Sequence, residues 1–386
     1  MRSNTRRGPV PDRDRRAVIT VTGRRQAGVM RCGGRSVVGI MLVTAGLAGC
    51  SGADPASVAA PGAAAVSTPA SAATPATPLT PTEERTLASL TLLDDHPLYE
   101  MTYAGALPPI LRAAGAPDPA AATGPSGLRK PFGCTVFLAG DPARPVVGRN
   151  FDWDPNPALI LHTDPPGGTA TMSVVDISYL GYDRALLADL DTPAGRRALL
   201  RAPLLPFDGM NEHGLAVGMA ADESAVANRR PGRVVVGSVR IMRLVLERAR
   251  TVSQAVAVLG EYDLDFNGGP PLHYFVADAT GAAAIVEFVD GRFTVIPRGD
   301  QPWQVMVNFQ QATSTEASRR ADRRWRTATA RLAVARGRLD PRQVLGLLAD
   351  VRQGHTQWSV AYDLKGRRAY LVVDRDYRTV HEFQVG

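Results

Sequence analysis

Three apolar runs in the second half of the chain constrain its fold most. His273–Ala277 and Ala283–Val289 flank Asp278-Ala-Thr-Gly281, and Asp290-Gly291 then turns the chain into Arg292–Ile296. Connections this short join antiparallel strands, because a parallel pair needs a long crossover. The pattern recurs. Thr135–Leu138 and Val146–Phe151 flank Gly140-Asp141-Pro142, and Trp358–Leu364 and Ala369–Val373 flank Lys365-Gly366. Thr169–Tyr179 and Gly214–Ala220 are further strand candidates. Helical spacing lies between them: Ile241, Leu244 and Val245 recur through Val239–Arg250, with Arg on the other face. Thr251 or Ser253 caps a following helix that ends near Gly260, and Asp340-Pro341 starts one over Val344–Val351. Strands, then helices, then strands again give an α+β fold layered on antiparallel sheets.

The N-terminal region is of a different kind. Residues 1–49 carry ten Arg and two Asp, a net of +8, while the whole chain is +7, so the remainder is −1. The positive charge is therefore local, and it gives no reason to expect a nucleic-acid partner. Arg31 and Arg35 precede the apolar run Val37–Ala48, which is shorter than the roughly 20 residues a membrane span needs. That is the layout of a secretory signal, with Met30 a better start than Met1. The ending Leu47-Ala48-Gly49-Cys50 resembles a bacterial lipobox, which implies a lipid on Cys50, an anchor to the cell membrane and an extracytoplasmic location. Plain secretion and an uncleaved anchor are the alternatives. Residues 50–83, almost all Ala, Pro, Ser and Thr, cannot bury a core and read as a disordered tether. Order is expected near Glu84, with helix-like spacing through Thr86–Leu93, and 84–133 form a segment leading up to the main domain, 134–386. Ala113–Lys130 within it reads as a loop.

If the signal removes Cys32 and a lipid takes Cys50, Cys134 is the sole free thiol. A buried small hydrophobe is the plain reading of such a residue. The other signatures of hydrolysis are missing from the sequence. There is no G-x-S-x-G and no H-E-x-x-H, and the six histidines (96, 162, 213, 273, 355, 381) stand singly without metal-ligand spacing.

Gly133-Cys134-Thr135, Gly148-Arg149-Asn150-Phe151-Asp152-Trp153 and Asp208-Gly209-Met210-Asn211-Glu212-His213-Gly214-Leu215 resemble the choloylglycine-hydrolase group of N-terminal-nucleophile (Ntn) hydrolases. That group holds bile salt hydrolases, penicillin V acylases and other linear amide C–N hydrolases, with acid ceramidase as a cousin. Further similar stretches follow in order: Leu272–Asp278 with Gly281–Val289, Val307-Asn308-Phe309, Ala317-Ser318-Arg319, and Thr356–Val360 with Tyr362–Leu364. The resemblance covers 134–386. It implies a four-layer αββα sandwich and a cut between Gly133 and Cys134, which the thiol makes on the Gly133 carbonyl. Cys134 then becomes N-terminal, and its α-amine, with an ordinary pKa of roughly 7.7–8.0, serves its own thiol as base. By the same resemblance Arg149 stabilises the thiolate, Asp152 holds the amine, Asn308 is an oxyanion donor and Arg319 is the late arginine of the pattern. Read alone, Arg149 is as well a surface ion-pair residue and Asp152 a turn cap. Where bile salt hydrolases carry a second oxyanion Asn this chain has Ala221, leaving only a backbone N–H. Asn211 reads as a turn residue.

The expected activity is hydrolysis of a linear amide, of N-acyl amine or N-acyl amino acid type, through a Cys134 acyl-thioester. No metal or cofactor is implied, and the partner is a small-molecule amide. Acyl transfer from the same thioester is the alternative within the enzyme class. A non-catalytic envelope binding lipoprotein is the alternative outside it.

Overall fold

Leu98, Val136, Leu159, Val174 and Ile285 are all fully buried, and each stands on a strand with a neighbour on both sides. This burial on both faces is why the strands read as apolar runs rather than clean alternations. The computed structural model describes residues 77–109, 133–182, 186–267 and 269–386. The signal region, the lipobox with Cys50, most of the tether and the loop 113–130 lie outside them.

In chain order the elements are α1 (Pro81–Ala88), β1 (Thr91–Asp94), β2 (Leu98–Tyr103), β3 (Thr135–Ala139), β4 (Val146–Asp152), β5 (Ala158–Thr163), β6 (Thr171–Asp176), β7 (Asp208–Asn211), β8 (Ala216–Ala221) and β9 (Val235–Gly237). There follow α2 (Arg240–Arg248), α3 (Val252–Glu261), β10 (Asp263–Asp265), β11 (Leu272–Ala277), β12 (Ala283–Val289), β13 (Arg292–Pro297) and β14 (Trp303–Met306). The chain closes with α4 (Glu316–Ala321), α5 (Arg323–Ala335), α6 (Pro341–Val351), β15 (Thr356–Asp363), β16 (Arg368–Val373) and β17 (His381–Gln384).

One sheet of nine strands runs β1-β2-β5-β6-β7-β8-β11-β12-β13, and a second of six runs β14-β3-β4-β15-β16-β17. Strand β3 meets β8 and β11 of the other sheet, so the two sheets face each other. Helices α2 and α3 cover the nine-stranded sheet, and α5 and α6 cover the six-stranded one. The architecture is a four-layer αββα sandwich. Its two cores follow the strand period of two. On β3, Val136 and Leu138 face the core between the sheets, while Phe137 and Ala139 face the core under α5 and α6. Gly148 on β4 is forced by that second core, since a Cβ there would stand 2.6 Å from Phe137 and 2.8 Å from Val344.

Three expectations need correcting. Order begins before Glu84. Pro81 opens α1, with Thr80 and Glu83 in a reciprocal capping box that the Thr-Pro-Thr-Glu string encodes. The spacing over Thr86–Leu93 is not one helix, because Thr91–Asp94 pairs with β2 instead; a sheet partner overrides local propensity. The arginines of α2 do not form a solvent face. Arg243 is fully buried, donating to the Pro203 carbonyl at 2.7 Å and Thr171 at 2.8 Å, and burial pushes its guanidinium down to about 10.

The leading segment is built into the main domain. Strand β2 pairs in parallel with β5 from Leu98↔Ala158 to Tyr103↔Thr163, and Leu98 and Met101 are fully buried.

Candidate active site

Strand register gathers the site. Thr135 lies opposite Asn150 and Val136 opposite Arg149, so stepping back along β3 sets Cys134 level with Phe151 and Gly133 level with Asp152. On the other side Met306 faces Val136, which carries Asn308 to the level of Cys134. Thr356 on β15 faces Asp152. Four segments distant in sequence thus converge on one thiol because they are neighbours in one sheet.

Cys134 is buried at 5% exposure. Burial pushes its thiol up, Arg149 pulls it back, Asp152 pushes it up, and a backbone N–H of Asp152 and the Arg324 guanidinium pull it down. The net direction is upward, so the thiol of this uncut chain rests protonated at neutral pH. The charged groups with the largest effect on it are Arg149, Asp152 and Arg324.

Arg149 is not at the surface. Its side chain is 1% exposed, with Nη1 donating to Asp208 and Nη2 donating to the Met219 carbonyl at 3.2 Å. The guanidinium lies 5.0 Å from the Phe151 ring centre. Asp208 also accepts from Trp358 Nε1 at 3.0 Å and from the Tyr362 hydroxyl. Nor is Asp152 a turn cap: it is fully buried, accepting from Thr356 Oγ1 and, at 3.0 Å, from Gln353 Nε2. Burial pushes its carboxyl up, against those two hydrogen bonds.

Asn308 donates through Nδ2 to the Ala221 carbonyl at 2.9 Å and accepts from Arg324 at 2.9 Å. Arg324 donates from the same nitrogen to the Cys134 carbonyl at 2.7 Å and pairs with Asp322 at 3.0 Å. Arg319 points elsewhere, donating to Ser314 Oγ and the Gln311 carbonyl, each at 2.8 Å. The late arginine that reaches Cys134, alongside Arg149, is therefore Arg324. Helix phase decides this: Asp322 ends α4 and caps α5, accepting from the Arg324 and Trp325 N–H groups. An Asp two residues ahead of Arg324 is a helix-start signal, and it is the feature of the sequence that marks this arginine out.

Ala221 reaches the site from the other sheet. Asp222 N–H donates to the Pro271 carbonyl, and antiparallel ladder bonds alternate, so the Ala221 N–H faces away from β11. Asn211 serves as a turn residue, donating to the Leu246 and Ala249 carbonyls and accepting from the His213 and Leu215 N–H groups. Besides Arg324, sequence reasoning gave no role to Gln353, Thr356 and Asp208. Thr356 and Asp208 lie inside the quoted motifs, and Gln353 lies outside them.

Beside Cys134 opens a largely apolar pocket, walled by Phe151, Trp153, Tyr179, Phe207, Met219 and Leu272 among others. Phe207 meets Phe151 edge-on at 5.5 Å and Tyr179 at 5.0 Å. Among the described residues, the one charged residue on the wall is Arg149. Among the described residues no cluster of His, Cys, Asp and Glu is arranged to hold a metal ion.

A four-layer αββα sandwich with a glycine–cysteine pair leading into an inner strand has the build of an Ntn hydrolase. Residues 206–377 match the sequence model of the family described as AAT, acyl-coenzyme A:6-aminopenicillanic acid acyl-transferase. No curated protein matches this chain. Among solved structures it is similar to penicillin V acylase from Agrobacterium tumefaciens, at 16% identity over 65% of this chain and 84% of that one, with a TM-score of 0.43. A variant of conjugated bile acid hydrolase from Clostridium perfringens is similar at 14% identity over 65% and 92%, with a TM-score of 0.48.

Proposed function

We propose that this protein is a cysteine amidase that activates itself by cutting between Gly133 and Cys134. It then hydrolyses a linear N-acyl amide through a thioester on Cys134. The observation that carries this is the thiol's company. Cys134 is buried at the start of β3 with Arg149, Asp152, Asn308 and Arg324 around it. A thiol so placed needs a base, and a freed α-amine on the same residue is one.

In the proposed cycle the α-amine takes the thiol proton and the sulfur attacks the acyl carbon. The oxygen's charge is met by the Ala221 N–H and by the second N–H of Asn308. The amine product leaves with the proton, and water opens the thioester. Asp152 holds the α-ammonium, and Arg149 favours thiolate. The acyl group enters the aromatic cavity. Among the described residues its walls offer no free charge, since Arg149 is already paired with Asp208, so an uncharged apolar acyl group fits best.

The test is intact mass and N-terminal sequencing of active material. Two chains are expected, the second beginning at Cys134. Active protein that is wholly uncut would overturn the proposal. Because β2 pairs along its length with β5 and buries Leu98 and Met101, the leading chain is expected to co-purify with the catalytic chain and separate only in denaturant. Separation in plain buffer would contradict that.

Acyl transfer is a second reading, favoured by the description of the matching family as an acyl-transferase. Partition of a chromogenic acyl amide between water and an added amine distinguishes the two. We also propose the location read from the sequence, a lipid on Cys50 holding the protein outside the cytoplasm at the membrane. Fatty-acid labelling that survives Cys50→Ala would refute it. Among the described residues no helix is long and apolar enough to cross a membrane.

A further inference from the structure

We propose that Gln353 is the oxyanion donor of the self-cutting step, its side-chain amide holding the carbonyl of the bond that breaks. The inference rests on the processing reading above. Gln353 stands in the turn between α6 and β15. Its backbone N–H donates to Thr356 Oγ1 at 2.9 Å, and its carbonyl accepts from Thr356 N–H at 3.3 Å, which fixes the residue from both sides. Its Nε2 donates to the Gly133 carbonyl oxygen at 2.8 Å and to Asp152 Oδ2 at 3.0 Å. Two oxygen acceptors around one amide end leave only the NH2 group a fit there. Both N–H bonds are therefore committed, one to the scissile carbonyl and one to the carboxylate that aims it.

The glycine follows from this contact. A Cβ on residue 133 would stand 1.6 Å from Gln353 Nε2 and 3.2 Å from the Asp152 Cβ. Any side chain at 133 evicts the amide from the carbonyl. The amide is already within hydrogen-bond reach of the oxygen on which the charge would develop.

The step balances with water alone. The Cys134 sulfur bonds to the Gly133 carbonyl carbon, and the oxygen takes up charge against the Gln353 N–H. The Gly133–Cys134 C–N bond then breaks, and the nitrogen takes the thiol proton to become the α-amine. Water adds to the resulting thioester, the C–S bond breaks, the proton returns to sulfur and Gly133 leaves as a carboxylic acid. Gln353 also lines an open polar cleft with Arg323, Asp350, Arg352 and Arg375, three cations and one carboxylate.

The experiment follows cutting by intact mass over time in wild type, Gln353→Ala and Gln353→Met, with thermal unfolding of each. Removing one oxyanion donor slows such a step by roughly 10²- to 10³-fold. Both variants are expected to cut that much more slowly. Methionine restores the side chain's length without its N–H, so a role in packing alone would be rescued by Met and a donor role would not. Met rescue, or an Ala variant that cuts at the wild-type rate, overturns the inference. A wild-type chain that never cuts overturns the processing reading instead.

Discussion

Cys134→Ala is expected to give one uncut chain with turnover at background, a loss on the order of a million-fold by comparison with nucleophile removal in a protease. The size follows from how much one residue does in the proposed cycle. Its sulfur attacks Gly133, the nitrogen released by that attack becomes the base, and the same sulfur then carries the acyl group. Alanine takes away the first event and with it the other two. The fold does not share the loss. Cys134 is small, and Ala removes one sulfur from a site whose shape is set by β3, β4 and β14, so the melting point is expected to move by a few degrees at most. Cys134→Ser tests the chemistry more finely. Its hydroxyl is harder to ionise than a thiol, so slow cutting with weak turnover is expected. Gel pattern, intact mass, thermal unfolding and hydrolysis of an acyl amide, measured on one preparation of each variant, check these statements. An alanine variant that still turns over would end the proposal, because no other nucleophile is invoked.

Much of this arrangement was legible in the sequence, for identifiable reasons. The hairpins at Asp278–Gly281, Asp290-Gly291 and Lys365-Gly366 announce themselves because short turns need particular backbone dihedrals, and few residues supply them. Asp290 and Gly291 both adopt positive φ, at 50° and 74°. Strand β5 escaped notice. Ala158–Thr163 follows Asn156-Pro157 and has few polar positions to give it a period, since five of its six residues are buried. Helix α5 escaped for the opposite reason. Its Arg-rich stretch from Arg323 shows little apolar stripe, and only Ala328 and Leu332 are buried. Losing α5 meant losing the phase that separates Arg324 from Arg319. Gln353 was beyond sequence reasoning altogether. Nothing local distinguishes it from any polar residue after a helix, and its meaning lies in a contact with Gly133, 220 positions away.

The Arg149–Asp208 pair carries the second large effect. Both side chains are all but removed from water, at 1% and 0% exposure. Asp208 has two further donors, Trp358 and Tyr362, while Arg149 is packed near the Phe151 and Trp358 rings. Burial, and then the charge of Asp208, push the Tyr362 hydroxyl well up, so it remains a donor across the accessible pH range. Removing either charge strands the other, and breaking a buried pair from one side costs about 3–5 kcal/mol. Arg149→Met and Asp208→Asn are each expected to lose stability on that scale. The double variant is expected to lose much less than the two together, because no unpaired charge remains. Activity separates where stability does not. Arg149 pulls the Cys134 thiol down, so the Met variant and the double variant lose thiolate, and the rise of their alkylation rate moves to higher pH. Asp208→Asn keeps the cation, and its alkylation profile stays closer to wild type even though its stability has fallen. Denaturant unfolding and iodoacetamide kinetics across pH, run on all four proteins, measure the two effects independently. Strictly additive stability losses, or a thiol profile unmoved by removing Arg149, would show that this pair neither holds the fold together nor tunes the sulfur.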